Sequence, residues 1–177
     1  MKTKSVYLMT AVMIAGMGAS VLAADEKEEL TGEVKEAKAA FIKQDDSLKA
    51  TFDKASGYAI FPSVAKGGLG VGAARGTGQL YQKGKLLGET TLTQVSIGLQ
   101  AGGQVYSEVV FFEDQTSLDN FRKGNFEFSA QVSAVAATAG ASANAKYEKG
   151  VMVFTLAKGG LMYEASVGGQ KFKYKDY

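Results

Sequence analysis

The spacing of apolar residues changes once along this chain, near residue 57. From Asp25 to about Ala55 the sequence is charged and nearly free of glycine, and Leu30, Val34, Ala37 and Phe41 recur at steps of four, three and four. That spacing predicts one buried helix face. Asp45, Asp46 and Ser47 then offer N-cap chemistry for a second helix carrying Leu48, Phe52 and Ala55, closed by Gly57. Beyond Gly57 the period falls to two, and 12 of the 22 glycines lie between Gly57 and Gly103, which predicts strands. Thr93 to Gln100 reads as a strand with Val95, Ile97 and Leu99 inward and Gln94, Ser96, Gly98 and Gln100 on a wet face. Gly102-Gly103 reads as a turn into Val105 to Phe112, which is apolar on both faces and therefore central. Asp114 to Lys123 reads as a short helix: Thr116 with Asp119 forms a capping-box pattern, Leu118 and Phe121 face the core, and Gly124 ends it.

The segment Ser129 to Ala145 holds mainly Ala, Ser, Val, Thr and Gly without charge, as expected of a strand packed closely on both faces. Val151 to Leu156 and Leu161 to Tyr174 read as a closing hairpin through Gly159-Gly160. The elements together predict an α+β domain: two N-terminal helices plus one short helix packed on a curved, mostly antiparallel sheet or partial barrel.

Composition removes most enzyme classes. The chain has no His, Cys or Trp, which excludes His-dependent triads, Cys nucleophiles and zinc or haem sites built on those ligands. The acids of the β-region, Glu89, Glu108, Glu113, Glu127, Glu148 and Glu164, show no paired spacing of the kind general acid–base chemistry needs. The expectation is a non-enzymatic protein with no cofactor and no metal.

The first residues read as an export signal. Lys2 and Lys4 precede the uncharged apolar run Val6 to Gly18, and Ser20-Val21-Leu22-Ala23 supplies a small-residue cleavage pattern, so residues 1–23 are expected to be removed and 24–177 to form one domain. The alternative is a retained anchor, since Val6 to Ala24 reaches spanning length. With no Cys after the run, a lipoprotein thioether anchor is impossible; the expected location is periplasmic or secreted. Cleavage takes two of the 20 basic residues and none of the 18 acidic ones, so the mature chain is neutral. Neutrality argues against nucleic acid as a partner and makes any anion site a matter of local clustering. The charged helix that follows carries six acids against four lysines between Asp25 and Lys43, unlike a membrane-surface helix.

One pentapeptide occurs twice: Ala65-Lys66-Gly67-Gly68-Leu69 and Ala157-Lys158-Gly159-Gly160-Leu161. Each follows an apolar run containing Phe, and each predicts strand, Lys-Gly-Gly turn, strand, with Lys66 and Lys158 at equivalent exposed positions. Successive N–H groups at such turns form anion-binding nests, and the adjacent lysines add charge. Gly68, Gly70, Gly72, Gly76 and Gly78 do not make a nucleotide site: no helix follows and no Gly-Lys-Ser/Thr closes a loop, whereas a spacing of two puts them on one strand face that another backbone approaches. At the C-terminus Lys171, Lys173 and Lys175 alternate with Phe172 and Tyr174, a basic stripe that Lys66, Arg75 and Lys158 extend. Edge protection against aggregation is the bland alternative for that stripe. An outer-membrane barrel is disfavoured, because Lys173 and Lys175 fall where a terminal barrel strand is apolar.

The run Gly57-Tyr58-Ala59-Ile60-Phe61-Pro62-Ser63-Val64-Ala65-Lys66-Gly67-Gly68, the Gly-x-Gly strand, Ala136-Ala137-Thr138-Ala139-Gly140, and Val153-Phe154-Thr155 through Lys158-Gly159-Gly160-Leu161 to Gly168-Gly169 resemble the SYLF domain over roughly Ala39 to Phe172. The resemblance implies a non-enzymatic lipid-binding domain; eukaryotic members bind phosphoinositides and some bind actin. The chain departs by lacking the Trp and Pro that often follow the Gly-rich strand, the Pro after the Ala-Gly run, and a basic amphipathic N-terminal helix. Anionic phospholipid is thus the expected partner. A protein partner in the envelope and an enclosed apolar ligand, for which Ser129 to Ala145 leaves room, are the alternatives.

Overall fold

A computed structural model describes residues 6–124, 126–129, 132–158 and 167–177, with side chains from residue 23 onward except at 69, 70 and 96–102. The chain divides into two compact units, Met1–Glu33 and Val34–Tyr177. The first is the leading part of α1 (Val6–Gln44). No described helix is long and apolar enough to cross a membrane.

In the second unit the expected helix stripe is present: Val34, Ala37 and Phe41 are buried, as are Leu48 and Phe52 of α2 (Leu48–Lys54). These side chains cover one face of the sheet, where Phe52 meets Tyr58 edge-on at 4.9 Å and Phe111 at 4.8 Å. The Lys38 ammonium sits over both the Phe52 and Tyr58 rings and donates to the Tyr58 hydroxyl at 3.0 Å. Ser47 occupies the N-cap of α2 without a side-chain cap bond. Asp45 instead turns its carboxylate to the Ser47 N–H and hydroxyl, the Gly140 N–H (3.2 Å) and the Ser142 N–H (2.8 Å). The capping acid expected of this link thus becomes a clamp between the two helices and a 3₁₀ turn at Ala141–Ala143.

Among the described residues six strands form one sheet: β1 (Gly57–Gln82), β2 (Lys85–Phe112), β3 (Phe126–Glu127), β4 (Ala134–Ala136), β5 (Val151–Ala157) and β6 (Lys171–Asp176). β1 and β2 are one long antiparallel hairpin running from Gly57↔Phe112 to Gln82↔Lys85. Its turn is Lys83-Gly84, both at positive φ (49° and 78°), as a two-residue turn of the right twist requires. Along its other edge β2 takes β5 at Tyr106 to Phe112 and β6 at Gly88 to Thr93, both antiparallel; only β4 on β5 is parallel. Val105 to Phe112 is central, as its two apolar faces require.

Two expected hairpins are corrected. Gly102-Gly103 does not reverse the chain, and neither does Gly67-Gly68; they lie opposite one another inside β2 and β1, at Gly67↔Gly103 and Gly68↔Gly102. Local chemistry favours a turn at Gly-Gly, but here the glycines bend two strands that stay paired. The pairing steps from Leu69↔Ala101 to Val71↔Ile97, a bulge of β2 against β1. Gly68 has φ of 155°, and a Cβ there would stand 2.1 Å from the Val71 carbonyl oxygen. β5 and β6 follow the same edge of β2 in the same direction, while residues 161–166, the first part of the expected returning strand, lie outside the described residues. Gly159 and Gly160 lie outside the described residues.

Past the bend β1 folds over its own beginning. A Cβ on Gly78 would lie 2.3 Å from the Ile60 carbonyl oxygen, and one on Gly76 2.9 Å from that of Ser63. The expected close backbone approach on this glycine face is therefore its own strand. The curl encloses a core of rings, with Phe172 at 4.7 Å from Phe128, 5.3 Å from Phe121 and 5.7 Å from Phe61. α3 (Gln115–Arg122) buries Leu118 and Phe121 as expected, but its cap is Asp114, which accepts from the Ser117 N–H at 2.7 Å, not Thr116. Among its described residues the small-residue segment forms the three residues of β4 and the 3₁₀ turn in place of a long strand.

The alternation in β2 is inverted relative to expectation. Gln94 is buried and its amide donates to the Gly168 carbonyl at 3.0 Å, whereas Val95 is 75% exposed.

Candidate functional site

The register of three strands builds one polar face beyond the bend. Arg75, Thr93 and Lys171 stand in one row across β1, β2 and β6; Thr77, Thr91 and Lys173 form the next; Gln79, Glu89 and Lys175 the third. Arg75 lies two inter-strand steps, about 10 Å, from Lys171. Arg75, Lys171, Lys173 and Lys175 are all exposed. Four cations thus share one face with three threonine hydroxyls, a set that can hold an anion by charge and hydrogen bonds. Period two fixes this on β6, because Phe172, between the first two lysines, is committed to the ring core.

Acids temper the face at its rim. Lys171 lies 3.7 Å from Glu127, and both side chains are more than half exposed, so the pair contributes little to stability. Asp176 is turned away from the lysines: Arg122 approaches it at 3.2 Å and the Tyr174 hydroxyl donates to it at 2.6 Å. The Tyr174 bond, with help from Arg122, holds the Asp176 carboxyl below its ordinary range.

The structure does not bring Lys66 and Lys158 into this face. They flank β2 on the far side of the bend, Lys66 opposite Gln104 on one edge and the Lys158 N–H donating to the Val105 carbonyl at 3.0 Å on the other. The Ala-Lys pairs that open the two copies of the pentapeptide therefore stand across β2 from one another, but Ala65 pairs with Val105 and Ala157 with Tyr106. That slip of one residue breaks the expected equivalence. Lys158 is exposed, whereas Lys66 is half-buried and close enough to Glu108 to act on its charge. Gly67 and Gly68 form no nest, being strand residues.

Two features escaped the sequence. Glu108 is fully buried, flanked in register by Phe61 and Thr155, and accepts from the Gln170 amide at 3.0 Å through Oε2, while Oε1 has no hydrogen-bond partner among the described residues. Burial pushes its carboxyl up to about 8 against the opposing effects of Gln170 and Lys66. No three Asp or Glu side chains converge among the described residues. The second feature is apolar. Val71 is 61% exposed beside an exposed Ala73, and Ala73 pairs with Val95 one row beyond Arg75. Neither feature has a motif: the burial of Glu108 follows from the strands on either side of it, and the exposure of Val71 and Val95 from which face the bend turns outward.

A family model described as Ysc84, Las17-binding protein actin regulator, matches residues 93–176, a stretch that includes Lys158, Lys171, Lys173 and Lys175 but not Lys66 or Arg75. Beta cell expansion factor A of Aeromonas veronii is 33% identical over 135 residues, covering 71% of this chain and 48% of that protein. The chain thus spans about half the length of this curated relative. Neither description is that of an enzyme. The matched segment includes two of the stretches that carry the resemblance noted in the sequence, Ala136 to Gly140 and Val153 to Gly169, but not Gly57 to Gly68 or the Gly-x-Gly strand of β1, and over residues 93–176 the chain matches the SYLF domain family.

Proposed function

We propose that this protein binds anionic phospholipid head groups, without catalysis, through the face of Arg75, Lys171, Lys173 and Lys175. The observation that carries the reading is the juxtaposition of those cations on three neighbouring strands with Thr77, Thr91 and Thr93 between them. Each cation near an anionic surface contributes roughly 1 kcal/mol, so four cations less the two acids Glu89 and Glu127 leave about 2 kcal/mol, thirtyfold in affinity, before salt screening. A neutral mature chain then binds by local field and not by net charge. Export to the periplasm or beyond, after removal of residues 1–23, would place this face opposite a bilayer.

Co-sedimentation with phosphatidylcholine vesicles, with and without phosphatidylglycerol, tests the reading. The change of Lys171, Lys173 and Lys175 to Gln is expected to reduce association with the anionic vesicles about tenfold or more at an unchanged melting temperature, and wild-type binding is expected to weaken as salt rises. Equal binding by the triple variant would overturn it; faster aggregation with unchanged binding would assign the lysines to edge protection.

A further inference from the structure

We infer that the glycine-built bend is the part of the molecule that enters the bilayer, with Val71, Ala73 and Val95 passing below the head groups while Arg75, Lys171 and Lys173 remain at their level. The inference rests on the lipid-binding reading above and adds its mode. Apart from Tyr177, the large apolar side chains exposed among the described residues are Val71, Val95 and Val105, at 61%, 75% and 43%. All three border the bend: Val71 and Val95 on the arm that continues into the basic face, and Val105, paired with Ala65, on the other arm. They are not the leavings of a saturated core. In β2 the same alternation places Gln94 inside and Val95 outside, so an amide is buried, held by the Gly168 carbonyl, while a valine faces water. Burial energy alone favours the opposite arrangement.

The spacing suits an interface. Val95 lies two residues from Thr93 along β2, about 7 Å beyond the row of Arg75 and Lys171. An apolar side chain at that distance past a row of cations reaches the boundary between head groups and acyl chains, which interfacial segments occupy about 5–10 Å deep. The neighbouring cations select an anionic bilayer as the occupant over a neutral apolar partner, because the same face that presents valines presents Arg75, Lys171 and Lys173.

The chain contains no Cys, so Val95→Cys gives a single thiol for an environment-sensitive nitrobenzoxadiazole label on the full chain. With phosphatidylcholine–phosphatidylglycerol vesicles its emission is expected to shift to the blue and to be quenched by spin labels on the acyl chains; the same label introduced through Ser63→Cys, at an exposed position, is expected to report water. The double variant Val71→Thr and Val95→Thr keeps the β-branched shape and is expected to lose about tenfold in vesicle association at roughly 0.5 M NaCl, where charge attraction is screened. An unshifted label on the Val95→Cys variant, with wild-type protein still sedimenting with the anionic vesicles, overturns insertion and leaves head-group binding standing. Failure of the wild type to sediment overturns both. A blue shift without lipid that grows with protein concentration assigns the valines to a second copy of the chain and overturns insertion as well.

Discussion

Glu108 is the residue whose chemistry is set most completely by its place. A carboxylate without water must either find donors or keep its proton, and among the described residues one amide, that of Gln170, is the donor it has. Its carboxyl rises from 4.5 to about 8. Below pH 4.5 both folded and unfolded chains hold this proton; between 4.5 and about 8 the unfolded chain has released it and the folded chain has not, so raising pH favours unfolding across that window. The expected outcome is a melting temperature that declines from pH 5 to pH 9 in wild type and a flatter profile in Glu108→Gln, which is the more stable form at pH 9 by on the order of a few kcal/mol. A steeper decline in the variant would refute this account. Asp45 has the opposite sign. Its burial would raise the carboxyl, but hydrogen bonds from Ser47, Ser142 and Gly140 outweigh that and hold it at about 2, so its contribution is present above pH 3.8 and is lost as pH falls through 2. Asp45→Ala leaves backbone donors unpaired and is expected to cost about 2–3 kcal/mol in a urea titration at neutral pH. At this scale the sequence is least legible: nothing in the letters around Glu108 separates it from the solvated acids of the other strands, because its burial depends on β1 and β5 arriving on either side.

At the scale of elements, legibility follows the distance over which each signal is written. Val34, Ala37 and Phe41 mark a helix face because their spacing is a property of one helix, and Lys171, Phe172 and Lys173 divide between faces because alternation is a property of one strand. Gly67-Gly68 could not be read the same way: a bend and a reversal use the same glycines, and the difference lies in whether Gly102-Gly103 stays opposite. The inversion at Gln94 and Val95 arises beyond that bend, where the bulge resets which side faces in. Two substitutions check the glycine assignment. Gly78→Ala drives a Cβ toward the Ile60 carbonyl at 2.3 Å and is expected to destabilise by about 3 kcal/mol or more, whereas Gly103→Ala, whose Cβ meets nothing nearer than the Lys66 carbonyl oxygen at 3.8 Å, is expected to stay within about 0.5 kcal/mol. Similar losses from both, measured by chemical denaturation, would contradict the curl of β1 over itself.

For the whole molecule, stability converges on the ring cluster where β6, β3, α3 and β1 meet. Phe172 touches Phe61, Phe121, Phe126 and Phe128, and Phe172→Ala is expected to cost about 3–5 kcal/mol, a large part of what a domain of this kind has. Calorimetry should show one transition shifted down by several degrees; a shift under about 1 °C would place Phe172 outside the cooperative core. The basic face and the ring core are thus two sides of a single six-residue strand, which explains how a chain of net charge only +2 can present a cationic surface without burying a charge beneath it. Only the strand's alternation was written locally; the company of Arg75 and the three threonines required the pairing of β6 with β2.

The order of strands along the edge of β2 has a consequence in time. Tyr106 to Phe112 takes its second neighbour from residues 151–157, and Gly88 to Thr93 takes its own from residues 171–176. A ribosome delivers the chain from its N-terminus, so the β1–β2 hairpin must wait with one edge bare until residues 151–157 and 171–176 emerge. The stretch that waits longest, Glu89-Thr90-Thr91-Leu92-Thr93, is mostly polar, while the apolar Val109-Val110-Phe111-Phe112 is covered sooner. The sheet therefore closes last where a stray strand has least to gain by attaching.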